Sequence, residues 1–161
     1  MTLKQKNILI LGAGGAVRGV LEPLLNNHPA QLVIANRTVE KALQLAEDFS
    51  DLGNISASSF NDLSGEKFDL IINGTSASLS GDLPPLPENI LNQHASVYDM
   101  MYAAQPTVFM DWGKQQGAEH YYDGLGMLVE QAAESFSIWR GVRPDTRVVI
   151  DKLRSDMGGT Q

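Results

Sequence analysis

The stretch NILILGAGGAVRG, residues 7–19, decides the fold of this 161-residue chain. Its apolar run breaks into glycines and then resumes, which predicts a strand, a tight turn and a helix. Gly12 permits a turn directly after the strand, and Gly14 lets a pyrophosphate approach bare backbone. The small Ala16 is expected to let the helix start close to the strand. Because amide groups at a helix start favour negative charge, the stretch predicts a phosphate site.

The glycine pattern alone leaves two interpretations open. Val17 occupies the third position of G-x-G-x-x-G, so a plain strand-to-helix connection is also compatible with the sequence. The end of the second strand, residues 31–35, separates the two, because an NAD site carries an Asp or Glu there for the ribose hydroxyls. In this chain Asn36, Arg37 and Thr38 follow that strand. The position therefore carries no acid.

The residues after the second strand favour NADP over NAD. An acid would repel a 2′-phosphate, whereas the planar guanidinium of Arg37 presents several donors to it. Lys41, one turn into the next helix, could add a second positive charge. The alternative for both cations is a solvated helix start, but a cation is disfavoured at a helix N-terminus unless an anion holds it. We therefore predict NADP as the cofactor.

Composition excludes several other classes of function. The formal net charge of −7 argues against nucleic acid and anionic membranes as partners. The sequence contains no cysteine, which excludes disulfides, thiolate catalysis and Cys-based zinc sites. The three histidines are not clustered, so no metal site is predicted. The sequence has neither a signal peptide nor an apolar run of about 18 residues, so a cytoplasmic location is expected.

Alternating apolar and amphipathic segments predict an α/β fold with a doubly wound, mostly parallel six-stranded Rossmann sheet in a single domain. The predicted strands are residues 7–11, 31–35, 55–58, 68–73, 95–99 and 119–122. Besides the helix after the glycine turn, the predicted helices are residues 39–49, 107–116, 128–140 and 146–157. On the long helix, one apolar face is expected to pack into the core: Leu128, Ala132, Phe136 and Trp139. The tail, residues 158–161, is expected to fray.

Ligands of such sheets bind beyond the carboxyl ends of the strands. We therefore expect one crevice to be lined by segments that are distant in sequence: the Gly12 turn and residues 36–38, 73–76, 99–102 and 123–126. Asn73, Thr75 and Ser76 directly follow a buried strand and could bring backbone and hydroxyl donors to the cofactor. A simple turn explains residues 73–76 equally well.

Five stretches together resemble the NADP-binding half of the shikimate dehydrogenase family. They run through the whole chain: residues 12–16, 36–38, 73–76, 98–102, and 123–128 with Gln131. The last two are the more specific, because many Rossmann domains share the first. The resemblance implies reversible hydride transfer between NADP(H) and the hydroxyl carbon of shikimate. This reaction interconverts shikimate and 3-dehydroshikimate in aromatic amino-acid biosynthesis.

The resemblance also implies roles for individual residues. The cofactor pyrophosphate would be held by Gly12, Ala13, Gly14, Gly15 and Ala16, and the adenosine 2′-phosphate by Asn36, Arg37, Thr38 and Lys41. Met100 and Gly124 would lie beside the nicotinamide. Tyr102 and Gln131 match positions that touch the shikimate hydroxyls. From the residues alone, Tyr102 could equally be an amphipathic residue at a domain edge, and Gln131 an exposed helix residue.

The family's N-terminal substrate domain, which supplies the catalytic residues, has no counterpart in this sequence. The resemblance therefore implies that residues 1–161 form the NADP-binding domain, with helices 125–157 included. It also implies that no catalytic residue is present and that the domain alone lacks turnover. Apolar surface turned toward the missing half would be exposed, which is compatible with a homodimer.

Two alternatives remain open at this point. The chain could be the corresponding domain of a paralogue that uses quinate as well as shikimate, because the two would differ chiefly in the missing domain. It could also be a non-catalytic module that binds or senses NADP, although the matching residues Tyr102 and Gln131 would then be arbitrary. A methyltransferase-type Rossmann domain is disfavoured, because such domains usually carry an acid where Arg37 stands.

Overall fold

Six parallel strands form one sheet in the computed structural model, which describes residues 2–158. They are β1 (Asn7–Leu11), β2 (Gln31–Ala35), β3 (Ile55–Ser58), β4 (Phe68–Asn73), β5 (Leu91–Asp99) and β6 (His120–Tyr122). Their order is β3-β2-β1-β4-β5-β6, and all five neighbouring pairs are parallel. The predicted doubly wound Rossmann topology is confirmed, and the strand order reverses between β1 and β4.

Within the described part of the chain, five helices accompany the sheet: α1 (Gly15–Leu25), α2 (Val39–Asp48), α3 (Val108–Gln115), α4 (Leu125–Arg140) and α5 (Thr146–Asp156). Two short 3-10 turns, Asn61–Leu63 and Ala77–Ser80, lie between β3 and β5. Over residues 2–158, no helix is long and apolar enough to cross a lipid bilayer. The tail predicted to fray lies, from residue 159 onward, outside the described residues.

The centre of the sheet is buried on both faces. Along β1, Ile8 and Ile10 point to one face and Leu9 and Leu11 to the other, and none of the four is exposed. Helices α1 and α2 complete the first core through Val17, Leu21, Ala42 and Leu45. The second core is completed by Phe60, Leu63 and Phe109. This two-sided burial explains why the central strands read as nearly continuous apolar runs.

Helix α4 differs from the prediction in both its start and its orientation. It begins at Leu125 rather than at residue 128, and its buried residues are Leu125, Val129 and Ala133. The face that was predicted to be core is exposed: Leu128 is 41%, Phe136 46% and Trp139 79% accessible, and Ala132 is exposed as well. The prediction of this core face was therefore wrong.

The sequence permits either orientation of α4, since apolar residues recur at helical spacing on both faces. The backbone before the helix decides between them. Gly124 packs against the carbonyl group of Met100, and its N–H donates to the carbonyl oxygen of Met101 at 3.0 Å. This contact fixes the first turn of α4 against the sheet with Leu125 inside. The larger apolar side chains of the helix consequently face outward.

Strand β5 is longer than predicted, because it begins at Leu91 instead of residue 95. The register between β4 and β5 shifts between Phe68 and Leu70, so that Phe68 pairs with Leu91 while Leu70 pairs with Ser96. His94, inside the irregular part, has a positive φ of 62°. The carboxyl end of β5 is unaffected, and Asp99 lies beside Asn73 as the last pair of the register.

Candidate cofactor-binding site

The turn after β1 has the geometry that its first glycine was predicted to provide. Gly12 has a φ of +102°, which side chains rarely tolerate, and its N–H donates to the carbonyl oxygen of Ala35 at 2.8 Å. A Cβ at this position would lie 3.3 Å from the carbonyl group of Gly74. The turn therefore lies in the corner between β1, β2 and β4, at the point where the strand order reverses.

The start of α1 is open to a ligand. Gly14 is the N-cap residue, it is exposed, and a Cβ added to it or to Gly15 would meet nothing within 4 Å. The first N–H groups of a helix have no partner inside the helix, and the first turn of α1 contains no acidic residue. Unpaired N–H groups and bare backbone are the features that bind a phosphate group at a helix start.

Ala16 was expected to allow close packing between α1 and the sheet, but this residue is exposed. The buried residue at this point is Val17, in the third position of the glycine pattern. Space for it comes from the residue directly after β4, because a Cβ on Gly74 would lie only 2.3 Å from Cγ2 of Val17. The glycine that the usual fingerprint places on the helix is thus replaced here by one after β4.

The residues that follow β2 meet the glycine turn in one cavity. Its volume is about 200 Å³, and it is lined by Ala13, Gly14, Asn36, Arg37, Thr38 and Lys41. The side-chain amide of Asn36 donates to the carbonyl oxygen of Thr38 at 2.8 Å, which shapes the entry into α2. Arg37 and Lys41 are exposed and form no ion pair with any residue between 2 and 158. Both cations are therefore available to an anion.

Asn36 and Arg37 also border a second cavity of about 430 Å³, which extends toward β4. Thr75 and Ser76 lie on its other side. The two cavities together connect the ends of β1, β2 and β4 at one edge of the sheet. The structure thus brings together the predicted residues Ala13, Gly14, Asn36, Arg37, Thr38, Lys41, Thr75 and Ser76.

Asn73 has a different place from the one predicted, since it is completely buried. Its Oδ1 accepts hydrogen bonds from the backbone N–H of Thr75 at 3.1 Å and from the Thr75 hydroxyl at 2.7 Å. The Asn73 side chain therefore fixes the orientation of Thr75 rather than lining the crevice itself. Thr75 and Ser76 are the residues of this segment that reach the cavity.

Arg18 forms an ion pair between α1 and α2 that the sequence did not indicate. Its guanidinium donates to Oδ2 of Asp48 at 2.5 Å and lies 5.2 Å from the ring centre of Phe49. Hydrogen bonds from Arg18 and from Gln44 lower the pKa of Asp48. The pair joins α1 to α2, and both side chains line a cavity that Gly15 and Lys41 also line. An Arg and an Asp thirty residues apart carry no local sequence signal, so only the folded chain reveals the pair.

Met100 and Gly124 lie side by side but are both buried. A Cβ on Gly124 would lie 2.0 Å from the carbonyl oxygen of Met100, so packing of the two loops requires glycine there. Nearby, the Arg154 guanidinium pairs with Asp123, whose side chain is 5% exposed, and this ion pair ties α5 to the start of α4. Burial raises the pKa of Tyr98, and the charges of Asp123 and Asp99 raise it further.

The predicted substrate contacts, Tyr102 and Gln131, both lie at the surface. Tyr102 follows β5 and is 40% exposed, and Gln131 is an exposed residue of α4. Neither residue lines the groove of about 740 Å³ that lies over the β4-β5-β6 part of one sheet face. Its apolar walls include Leu24, Leu70, Ile72, Tyr98, Met100 and Tyr122.

The reversed strand order, the glycine turn with an open helix start, and the basic, acid-free end of β2 place this chain in the Rossmann class of α/β domains. Two family models match it, "Shikimate / quinate 5-dehydrogenase" over residues 1–111 and "Shikimate 5'-dehydrogenase C-terminal domain" over residues 124–154. The chain belongs to the shikimate/quinate dehydrogenase family.

Individual relatives agree with this assignment. A shikimate dehydrogenase (NADP(+)) of Cellvibrio japonicus is 61% identical over 152 residues, which cover 94% of this chain and 55% of the relative. The crystal structure of an Ael1 enzyme from Pseudomonas putida is 49% identical with a TM-score of 0.88, over 94% of this chain and 56% of that one. A 5-ketofructose reductase from a Gluconobacter species is 31% identical with a TM-score of 0.81, over 97% and 58% respectively. The chain spans little more than half the length of these relatives.

Proposed function

We propose that this chain is the NADP-binding domain of a shikimate dehydrogenase. The observation that carries the proposal is the cavity in which Arg37 and Lys41 meet the glycine turn at the acid-free end of β2. Neither cation forms an ion pair with a residue between 2 and 158. The name of the Cellvibrio japonicus relative supports both the cofactor and the substrate. In the full-length enzyme the proposed reaction is the reversible reduction of 3-dehydroshikimate to shikimate by NADPH.

The residues of this chain fit an NADP molecule by their chemistry. N–H groups at the start of α1 would bind the pyrophosphate, where Gly14 and Gly15 keep the backbone accessible. Arg37 and Lys41 would bind the 2′-phosphate, with Asn36 and Thr38 as neutral partners. Thr75 and Ser76 would face the middle of the cofactor. The bound cofactor supplies the hydride, and the protein provides orientation and proton handling.

We further propose that residues 1–161 do not turn over shikimate by themselves. The carboxylates that directly precede Met100 and Gly124 in the sequence are Asp99 and Asp123, and both side chains are buried and held in hydrogen bonds or an ion pair. A general acid or base must reach the reacting hydroxyl, so we assign that role to the part of the enzyme that this chain does not span. An assay of NADP⁺ reduction with shikimate should give no activity above background. Sustained turnover would contradict the assignment.

Recognition of the substrate is assigned to the same part of the full-length enzyme, which this chain does not span. The 31% identical relative is named a 5-ketofructose reductase, so domains of this type serve different carbonyl substrates. Quinate therefore stays an alternative substrate of the full-length enzyme. The proposed contacts from this side, Tyr102 and Gln131, would add to a pocket formed mainly elsewhere.

We also propose a cytoplasmic location and a homodimer of the isolated domain. The location is supported by the proposed membership of a biosynthetic pathway. The homodimer is supported by exposed apolar side chains near the end of α4, where Ile138 is 74%, Trp139 79% and Val142 64% accessible. Sedimentation analysis should detect a dimer that Trp139→Glu weakens. A monomer at all concentrations would contradict this proposal.

Calorimetric titration tests the cofactor assignment. Wild-type protein should bind NADP⁺ at least tenfold more tightly than NAD⁺, and Arg37→Ala should abolish most of this preference, because tenfold corresponds to about 1.4 kcal/mol from the 2′-phosphate. Arg147→Ala is the matched control, since Arg147 is an exposed cation on α5 that forms no ion pair with the described residues. Equal affinities of the wild type for the two cofactors would contradict the proposal.

A further inference from the structure

Asp99, the last residue of β5, is a completely buried carboxylate. It forms no ion pair with the residues that the structure describes. Its charge is instead compensated by hydrogen bonds from four donors. Oδ1 accepts from the Asn73 amide at 3.2 Å and from the Met101 backbone N–H at 3.0 Å, and Oδ2 accepts from the hydroxyls of Ser78 and Thr107 at 2.7 Å each. We call these five residues the Asp99 network.

The four donors belong to different segments at the crevice edge. Ser78 lies in the 3-10 turn directly after Thr75 and Ser76. Met101 lies in the loop between Met100 and Tyr102, and Thr107 is the N-cap of α3, accepting from the N–H of Met110 at 3.2 Å. A single carboxylate therefore connects the loop after β4 with the loop after β5.

Asn73 extends the network by one step. Its amide nitrogen donates to both Asp99 and Ser78, at 3.2 and 3.1 Å, while its Oδ1 holds the hydroxyl of Thr75. The orientation of Thr75, which faces the cavity shared with Arg37, thus depends on the Asp99 carboxylate through one intervening side chain.

Overall stability alone does not call for a charge at this position. Burying a carboxylate costs free energy, and a buried polar network can often be replaced by apolar side chains without loss of stability. Apolar packing does not fix the orientation of polar groups. Short hydrogen bonds to a charged acceptor, by contrast, fix the donors in position and angle. An acceptor with two oxygens, each bound to two donors, specifies one mutual arrangement of the two loops.

We infer that Asp99 is a positioning residue, which holds residues 75–78 and 100–102 in the arrangement that receives the middle and the nicotinamide half of the cofactor. The inference rests on the proposed function, since it assigns the loops after β4 and β5 to that part of NADP. It differs from the direct contacts proposed above, because Asp99 is buried and acts only through its four donors.

The test compares two ligands on Asp99→Asn and wild-type protein, at a temperature where both are folded. Adenosine 2′,5′-bisphosphate probes the end of the site formed by Arg37 and Lys41, and NADP⁺ probes the whole site. The variant keeps the shape of the side chain but points an amide donor at two hydroxyls. We expect NADP⁺ affinity to fall at least fivefold and bisphosphate affinity to change less than twofold.

Asp69→Asn is the matched control, because Asp69 also accepts a backbone N–H, that of Asn7 at 2.9 Å, and pairs with Lys6 at the start of β1, at the opposite edge of the sheet. It should lower the melting temperature without changing the ratio of the two affinities. A residue that only stabilises the fold would behave in this way. If Asp99→Asn does not fold, Ser78→Ala removes one donor of the network and should lower NADP⁺ affinity about twofold to threefold, again without loss of bisphosphate affinity.

The outcomes separate this inference from the proposed function. If Asp99→Asn, or Ser78→Ala in its place, weakens both ligands equally or neither, the positioning role is overturned while the cofactor assignment stands. If wild-type protein binds NADP⁺ no more tightly than the bisphosphate, the loops add nothing and the role is overturned as well. If wild-type protein binds neither ligand, both proposals fail.

Discussion

Replacing Gly74 by alanine tests the packing that places α1 against the sheet. The new Cβ would lie 2.3 Å from Cγ2 of Val17 and 3.2 Å from both the Leu11 carbonyl oxygen and the Met100 sulfur, so helix and sheet must separate. Overpacking of this kind lowers the free energy of unfolding by about 1–3 kcal/mol. Because the pyrophosphate is proposed to bind at the open start of α1, the same displacement should weaken NADP⁺ binding.

The destabilisation by Gly74→Ala comes mainly from the contact with the Val17 side chain. A double-mutant cycle of these two residues therefore measures the energy of this contact. Val17→Ala alone removes two buried methyl groups and should cost about 2 kcal/mol. In the double variant the shortened side chain makes room for the new Cβ, and the total loss should stay near about 2 kcal/mol. The expected coupling is then about 1–3 kcal/mol in favour of the double variant.

Urea unfolding of the wild type, both single variants and the double variant measures this coupling. Gly19→Ala is the control, because Gly19 is an exposed residue of α1 whose added Cβ meets nothing within 4 Å. Alanine at that position should raise stability by about 0.5–1 kcal/mol through helix propensity. Strictly additive losses at Gly74 and Val17 would refute the packing argument.

Two further predictions concern ion pairs. Arg154→Ala leaves the buried Asp123 carboxylate without its cation. In urea titrations this variant should lower the free energy of unfolding by about 1–3 kcal/mol. A loss as small as that of the control variant Arg147→Ala would contradict the role of the Arg154–Asp123 pair in holding α5. The second concerns Asp48, whose pKa is held below its ordinary value of 3.8 mainly by Arg18. The folded state therefore binds this proton less readily than the unfolded state, so the stabilisation is present above about pH 4 and is lost as the pH falls through the lowered pKa. Melting temperatures between pH 5 and 2.5 should fall less steeply for Arg18→Ala than for wild type, and parallel curves would contradict the prediction.

The sheet and the meeting of the glycine turn with residues 36–41 could be predicted because both are encoded locally. Each central strand is a short apolar run that ends in glycine or small polar residues, and the parallel topology then brings those ends together. The residues Asn36 to Lys41 directly follow one strand, so their position beside the glycine turn required no knowledge of side-chain packing. For the same reason, the predicted strand and helix ends agree closely with the structure except at β5 and α4.

The features that escaped prediction depend on contacts between distant segments. The orientation of α4 is set by the backbone contact of Gly124 with Met100, which outweighs the more hydrophobic face that includes Trp139. The large side chain of Val17 fits against the sheet only because Gly74 has no side chain, and these two residues belong to different segments of the fold. From the sequence, Asn73 and Asp99 are polar residues at strand ends that are expected to line the crevice. The fold instead uses both side chains internally, to orient the loops that carry Thr75 and Met101.

The most direct test of the account is the crystal structure of this chain with NADP⁺. The account predicts the 2′-phosphate within hydrogen-bond distance of the Arg37 guanidinium and the Lys41 ammonium, and the pyrophosphate on the N–H groups that follow Gly14. A nucleotide bound in another cavity, or one whose 2′-phosphate contacts neither cation, would contradict it.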